Sequence, residues 1–489
     1  MDIKLLSSPL TESDADALLL FLTEGGDIEG AAAAVDAALS GALAELYALG
    51  DFSGKTGEVA VLYTRGALKA GRVIAVGLGV AESLLPDTLR RAGALGVQKA
   101  RALKAGRVAA ALPSYLSGVS VGAMAEGALL GLYTYTAQKS APTPDEFPQT
   151  LDIHTTASDA EANLQIARAI AAGVFTARDL VNAPPNVCTP DHMAQIAREA
   201  AEATGMSFQA LDRAAMAELK MGALLGVAQG SETPPRFIVL EHNSDRDDLT
   251  TIVLVGKGVT FDTGGYSIKT QDGMVTMKGD MAGGAAVIGA MRAIAELGVP
   301  LRVIGLVPAA DNMISGGAYR PQDVLTASNG VTIEIISTDA EGRLLLADAL
   351  VYAARYNPAA VVDIATLTGA ASIALGQLAA GLFVTDDGLR DKLLAAAGAT
   401  GERLWQLPLF PEFDKMLESD TADIKNSGGR FGGASVGAIF LKHFVSYPAW
   451  AHIDMAGMGL EGKDNPYVPP KGATGYGVRL FVEFVRSYV

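Results

Sequence analysis

The chain has 489 residues, 49% of them apolar and 19% charged, and its 55 glycines and 21 prolines stay below the share that marks low-complexity chains. Disorder is excluded for the bulk, and the length suits two to four domains. Lys+Arg 38 against Asp+Glu 54 leaves a net charge of −16, a field that repels phosphate backbones and anionic membranes and argues against sequence-independent nucleic-acid binding.

Residues 1–156 alternate strand-like runs, at 59–63, 72–76 and 107–112, with Ala-rich helical runs such as 89–104, and that alternation predicts an α/β layer domain. A proline-rich break at 141–148 cannot extend a helix, and a short strand-like segment follows at 151–156. The next helical pattern, 159–181, is long enough to link two domains and is stopped by Asn182-Ala183-Pro184-Pro185-Asn186. We therefore expect an N-terminal α/β domain over 1–157, a linking helix over 158–181 and a larger C-terminal domain over 182–489. In the last, strand patterns at 237–241, 251–256, 301–309, 332–336 and 360–364 alternate with helical ones. Near-continuous β-branched runs of this kind predict a mostly parallel or mixed sheet covered by helices on both faces, with sites beyond the carboxyl ends of its strands.

A single cysteine, Cys188, can form neither an internal disulfide nor a Cys-rich zinc site. No basic segment followed by an apolar one opens the chain, and no apolar run approaches the roughly 20 residues that span a bilayer. A reducing, cytoplasmic setting without a membrane partner is the expectation.

Polar residues gather in three segments. Lys257 follows the strand-like run 251–256 and precedes Asp262; Lys269, Lys278 and Asp280 lie downstream; and Ser337-Thr338-Asp339-Ala340-Glu341-Gly342-Arg343 follows the run 332–336. Taken alone, Thr338 and Glu341 have the spacing of a helix capping box, and Gly-Lys-Gly is an ordinary turn. Together, carboxylates with almost no histidine nearby suit hard or borderline divalent cations, and carboxylates shared between ions can support a two-metal centre.

The segments VGKGVTFDTGGYSIK (255–269), MKGDMAGGAA (277–286), STDAEGRLLLADAL (337–350) and TLTGA (366–370) together resemble the two-metal, hexameric leucyl aminopeptidases of peptidase family M17. NAPPN (182–186), residues 428–435 and HIDMAG (452–457) support the match, which covers nearly all of 187–489. Residues 1–156 carry little identifiable motif, and for them the resemblance implies a smaller, macrodomain-like α/β domain. The catalytic domain it implies is a larger α/β unit with a mixed central sheet flanked by helices.

Carried over residue by residue, the resemblance implies that Asp262 and Glu341 bridge two ions, Mn²⁺ or Zn²⁺ with Mg²⁺ or Co²⁺ as substitutes. Asp339 would complete the more exchangeable site, and Lys257 and Asp280 the tighter one. Lys257 must be neutral to act as a ligand, which a neighbouring dication favours. Two cations would activate a bridging water, a protonated Lys269 would stabilise the gem-diolate, and Arg343 would hold a bicarbonate ion as general base. A guanidinium cannot itself be that base, but its fork fits a planar anion. The substrate amine would meet a metal, Asp280 and a main-chain carbonyl near Thr366, while Gly369 donates its N–H to the peptide. Met277 and Gly369 would line the first side-chain pocket, with Leu367 among the substrate-binding residues, which is consistent with a preference for leucine or methionine. The resemblance also implies a homohexamer of two trimers acting on short peptides.

Other signals are weaker. Gly433-Ala434-Ser435-Val436-Gly437 and Gly118-Val119-Ser120-Val121-Gly122 both fit G-x-S-x-G, but a serine hydrolase built on Ser435 needs a strand before the serine, and 426–433 reads as glycine-rich loop. A nucleic-acid role for the N-terminal domain lacks a basic stripe or a phosphate-binding loop. His154, His192, His242, His443 and His452 show no ligand spacing, although His452 stands close to Asp454 in a family-like segment.

One position departs from the family pattern: Ser337 stands where an asparagine is usual, which implies a roomier leaving-group pocket. Ser337→Asn is expected to change discrimination among second residues more than among first ones. A panel of dipeptides checks this, and unchanged kcat/KM ratios would refute it.

Overall fold

The computed structural model describes residues 1–141, 148–462 and 464–489. Positions 142–147 of the proline-rich break fall outside the described residues. The chain separates into two compact units, Met1–Ala171 with Asp464–Pro470, and Ala172–Lys463 with Lys471–Val489, so the division falls inside helix Ala160–Asn182.

The first unit is built on a six-stranded sheet of β1 (Asp2–Leu6), β2 (Ala17–Thr23), β3 (Val59–Tyr63), β4 (Arg72–Gly79), β5 (Arg107–Ala111) and β6 (Thr150–His154), in the order β1-β6-β5-β2-β4-β3. All pairs are parallel except β3 with β4. Central β2 is buried along its whole length, as its sequence Ala-Leu-Leu-Leu-Phe-Leu-Thr requires of a strand covered on both faces. One face of the sheet packs on helices Pro86–Ala102 and Gly118–Leu130, which approach to backbone contact at Gly127: a Cβ there would lie 1.9 Å from the Arg90 carbonyl oxygen. The late segment Asp464–Pro470 joins this unit through two backbone carbonyls and one side chain. Arg91 donates to the Asp464 carbonyl at 2.9 Å, Gln98 to that of Pro466 at 2.7 Å, and Tyr467 to the Asp87 carboxylate.

The second unit contains β7 (Ser207–Leu211), β8 (Arg236–His242), β9 (Thr251–Gly256), β10 (Gly258–Asp262), β11 (Arg302–Asn312), β12 (Val324–Thr326), β13 (Thr332–Glu334), β14 (Ala360–Ala365), β15 (Ala380–Val384), β16 (Leu404–Gln406), β17 (Ile424–Lys425) and β18 (Trp450–Asp454). Its main sheet runs β16-β15-β18-β14-β9-β11-β8-β7, with β10 also on β11, and β12-β13-β17 form a small separate sheet. The core strands β18, β14, β9 and β11 are mutually parallel, whereas β15, β8 and β7 add antiparallel neighbours, so the sheet is mixed. Helices Ala282–Glu296 and Gly342–Ala353 are buried almost all round, which explains why their sequences carry little polar face.

β9 and β10 both run parallel to β11, β9 against Arg302–Leu306 and β10 from Ala309 to Asn312, and Lys257 occupies the interruption between them. Its N–H donates to the Ile364 carbonyl at 3.1 Å and its own carbonyl accepts from Gly284 at 2.7 Å. Thus the backbone around Lys257 is tied to β14 and to the start of helix Ala282–Glu296. Among the described residues no single helix is long and apolar enough to cross a membrane.

Candidate metal centre

The centre forms at the carboxyl ends of the parallel strands in the second unit. Lys257 follows β9, Asp262 ends β10, Asp280 follows a 3-10 turn at Met277–Gly279, and Asp339 and Glu341 lie between β13 and helix Gly342–Ala353. Asp262, Asp280 and Glu341 are buried, and each offers an oxygen such that all three lie within 4.8 Å of one another. Two lysines stand among the acids. Lys257 Nζ is 2.8 Å from Glu341 and 2.9 Å from both Asp280 oxygens, while Lys269 Nζ is 2.8 Å from Asp262 and 2.5 Å from Asp339.

Four carboxylates against two ammoniums leave a negative excess, with Asp262, Asp280 and Glu341 buried and Asp339 exposed at the edge, and burial and mutual repulsion act on the acids unequally. Burial, joined by the Glu341 charge, pushes Asp262 up to about 6 despite both lysines. Asp280 is driven well above the usual carboxylate range, again by burial and against the pull of Lys257. Burial opposes ionisation of Glu341 as well, but the Lys257 ammonium outweighs it and Glu341 stays below its ordinary value. For the lysines burial works against the charge, and the surrounding acids overcome it, so both are held above the ordinary lysine range. Asp280 Oδ2 is buried and receives no hydrogen bond even with the ammonium beside it. An oxygen-rich donor set with an uncompensated charge and an unused buried lone pair fits divalent cations.

The segments carrying these ligands are fixed from behind. Asn312 Nδ2 donates to Asp262 Oδ1 at 2.7 Å and to the Thr338 carbonyl at 2.9 Å, and Tyr319 donates to that same carbonyl at 2.8 Å. Thr338 does not cap the helix at Gly342: its hydroxyl donates to the Gly264 carbonyl at 2.6 Å and accepts from the Ser267 N–H at 2.8 Å. Glu341 is the N-cap residue but makes no capping bond, so its carboxylate is left for the centre. The capping-box spacing of these two residues therefore serves the site and not the helix end.

Arg343, on the first turn of the same helix, is buried and donates from Nη1 to the Asn426 carbonyl at 2.7 Å. Its Nε has no partner, and among the described residues no carboxylate forms an ion pair with it. Burial lowers its pKa to about 10, against the opposing pull of the Glu341 and Asp454 charges.

On the β14 side, Thr366 donates to Asp280 Oδ1 at 2.8 Å while its carbonyl accepts from Lys257 Nζ at 3.0 Å. Leu367 and Thr368 donate their N–H groups to Asp454 Oδ1 at 3.2 and 3.3 Å, and the Thr368 hydroxyl donates to Oδ2 at 2.6 Å. Gly369 is exposed at the start of helix Gly369–Leu375, and Met277 is half-buried three residues before Asp280. Asp454 and His452 thus lie on one strand, with His452 Nδ1 2.5 Å from Asp363 in the core. Ser435 is buried in the first turn of helix Gly433–Lys442 and is not preceded by a strand; Ser120 likewise falls in the first turn of helix Gly118–Leu130.

Sequence reasoning singled out the ligands but not their supports Asn312, Tyr319 and Asn426. Asn312 follows Asp311 at the end of a long apolar strand, which is a readable polar signal; Asn426 opens the glycine-rich segment 426–433, and nothing in one sequence links it to residue 337.

A profile of the cytosol aminopeptidase family, catalytic domain, matches residues 175–482, and one of the same family's N-terminal domain matches residues 19–142. The chain is 45% identical over 460 residues to a probable cytosol aminopeptidase of Geotalea uraniireducens, covering 93% of each. Its structure is similar to that of a mutant tomato leucine aminopeptidase, with a TM-score of 0.89 and 36% identity, covering 100% of this chain and 96% of the other. It is also similar to the bottromycin maturation enzyme BotP in complex with Mn, with a TM-score of 0.85 and 35% identity over 97% and 99% of the two chains.

Close approach at Gly342 offers a test of the packing. A Cβ added there would sit 2.4 Å from Lys257 Cε and 2.6 Å from Nζ, whereas one added at Gly369 meets nothing within 4 Å. Gly342→Ala is expected to destabilise the metal-free protein by about 1–3 kcal/mol and Gly369→Ala to leave its denaturation midpoint unchanged; equal midpoints for the two variants would refute the contact.

Proposed function

The chain belongs to the cytosol aminopeptidase family and is an aminopeptidase, a hydrolase that removes residues from peptide N-termini, and on that premise we propose that it is a two-metal enzyme preferring leucine- or methionine-like first residues of short peptides. The observation that carries the reading is the convergence of three buried acids, from β10, the 280 turn and the 341 loop, around two lysines. Asp262 and Glu341 would be shared between two divalent cations, Mn²⁺ or Zn²⁺, with Asp339 at one ion and Lys257 and Asp280 at the other. Bound there, such ions supply Lewis-acid polarisation of the scissile carbonyl and a lowered pKa for water.

The rest follows from the chain's own groups. Lys257 Nζ, protonated between Asp280 and Glu341 in the metal-free protein, has to release that proton to offer a lone pair. Lys269 keeps its proton and donates to the carbonyl oxygen as negative charge builds on it. Arg343, buried with an unused Nε, holds a planar anion for which bicarbonate has the right shape and basicity. Asp280 and the Thr366 carbonyl accept from the peptide's free amine, which sets the cut one residue from the N-terminus, and the Gly369 N–H donates to the peptide. Met277, flexible and apolar, borders the first side chain together with Leu367 and Gly369. The relatives' description as cytosol enzymes, together with the lone cysteine, supports a cytoplasmic setting, and the family likeness supports a homohexamer of two trimers.

Removal of metal with a chelator is expected to abolish turnover, and Mn²⁺ or Zn²⁺ to restore it. Asp262→Ala should lose metal by elemental analysis together with activity. Lys269→Ala should retain metal but lower kcat by about 10²–10³-fold, the usual cost of one oxyanion donor. A full rate in either variant, or chelator-resistant turnover, would overturn the assignment.

A further inference from the structure

We propose that Asn426 is a positioning residue that locks the ligand-bearing loop 336–341 and the Arg343 guanidinium into one register; the inference rests on the two-metal reading above. Asn426 is fully buried, just past the two-residue strand β17. Its backbone N–H donates to the Glu334 carbonyl at 2.9 Å, which extends the pairing of β17 with β13. Ile335 still exchanges backbone hydrogen bonds with Gln322 and Asp323, but from Ile336 to the helix that starts at Gly342 the chain has left the ladder, and this stretch carries Asp339 and Glu341.

Asn426 supplies the missing pairing. Its Oδ1 accepts from the N–H groups of Ile336 at 2.8 Å and Ser337 at 3.3 Å, and its Nδ2 donates to the carbonyls of Ser337 at 2.7 Å and Ala340 at 3.4 Å. Two N–H groups and two carbonyls converge on one side chain, and a carboxamide satisfies both kinds from one planar group. An aspartate of the same shape would keep the two acceptor contacts and turn an oxygen toward the carbonyls of Ser337 and Ala340. The Asn426 carbonyl meanwhile receives Nη1 of Arg343, whose guanidinium lies 5.8 Å over the Phe440 ring. One residue therefore fixes both the acids on the loop and the direction of the cation behind them, the role of an outer partner whose loss typically costs 10–100-fold in metal affinity or activity.

The test compares the full-length parent with Asn426→Asp, Asn426→Ser and the packing control Ile439→Ala, a buried core position on helix Gly433–Lys442. Each protein is stripped of metal, titrated with Mn²⁺ in a calorimeter, and assayed on a leucyl dipeptide for kcat and KM separately. Both Asn426 variants are expected to bind Mn²⁺ about 10–100-fold more weakly and to lose kcat with little change in KM, while Ile439→Ala lowers the unfolding temperature and keeps Mn²⁺ affinity and kcat. If Asn426→Asp does not fold, Asn426→Ser carries the comparison, since its smaller side chain forces no oxygen onto the two carbonyls. Parent-like Mn²⁺ affinity and kcat in the folded Asn426 variants, or losses shared with Ile439→Ala, would overturn the positioning role. A parent that binds no Mn²⁺ would instead overturn the two-metal reading.

Discussion

Burying like charges is the constraint around which the second unit is organised. Asp262, Asp280 and Glu341 are brought within 4.8 Å with almost no solvent to screen them, and two ammoniums offset only part of the repulsion. Such a cluster survives only if the surrounding fold prevents the acids from separating. The supports do that: Asn312 ties Asp262 to the loop that carries Asp339, Thr366 ties Asp280 to the end of β14, and Lys257 is anchored through its backbone to β14 and to the helix beginning at Ala282. The electrostatic cost is stored in the free protein, and the cations proposed for the site would relieve it.

The same constraint explains an interruption in the sheet. A continuous strand would turn Lys257 into one more ladder residue, whereas the break between β9 and β10 lets both halves follow β11 and leaves the lysine facing the acids. Gly342 completes the arrangement, since any side chain at that position would occupy the volume of the lysine's terminal carbons. Backbone geometry and charge placement are therefore inseparable here.

Much of this was legible in the sequence because chemistry and position coincide. The strand-like runs 59–63 and 251–256 match β3 and β9 residue for residue, and the three polar segments singled out in the second unit carry all the proposed ligands. Very short strands, β15 to β18 among them, gave no comparable signal because a run of two to five residues is too brief to show a period. The run 332–336 ends as a strand at Glu334, two residues early: Ile335 bonds to the turn at Gln322 and Asp323, and from Ile336 the backbone pairs with the Asn426 side chain and not with another strand. Thr338 misled for a related reason: its spacing from Glu341 is that of a cap, but a hydroxyl bonds to whichever backbone group tertiary structure brings near, and here that is the 264–267 turn.

The return of Asp464–Pro470 to the first unit changes what counts as a separable piece of this chain. The polypeptide passes between the units three times, so they are not beads on a single thread. A fragment ending near residue 157 would leave behind the carbonyl acceptors of Arg91 and Gln98 and the phenol that meets Asp87, exposing a seam on helix Pro86–Ala102 that the intact chain keeps closed. Evolutionary shuffling of the N-terminal unit by simple cut and join would meet the same obstacle, which ties the inheritance of the two halves together.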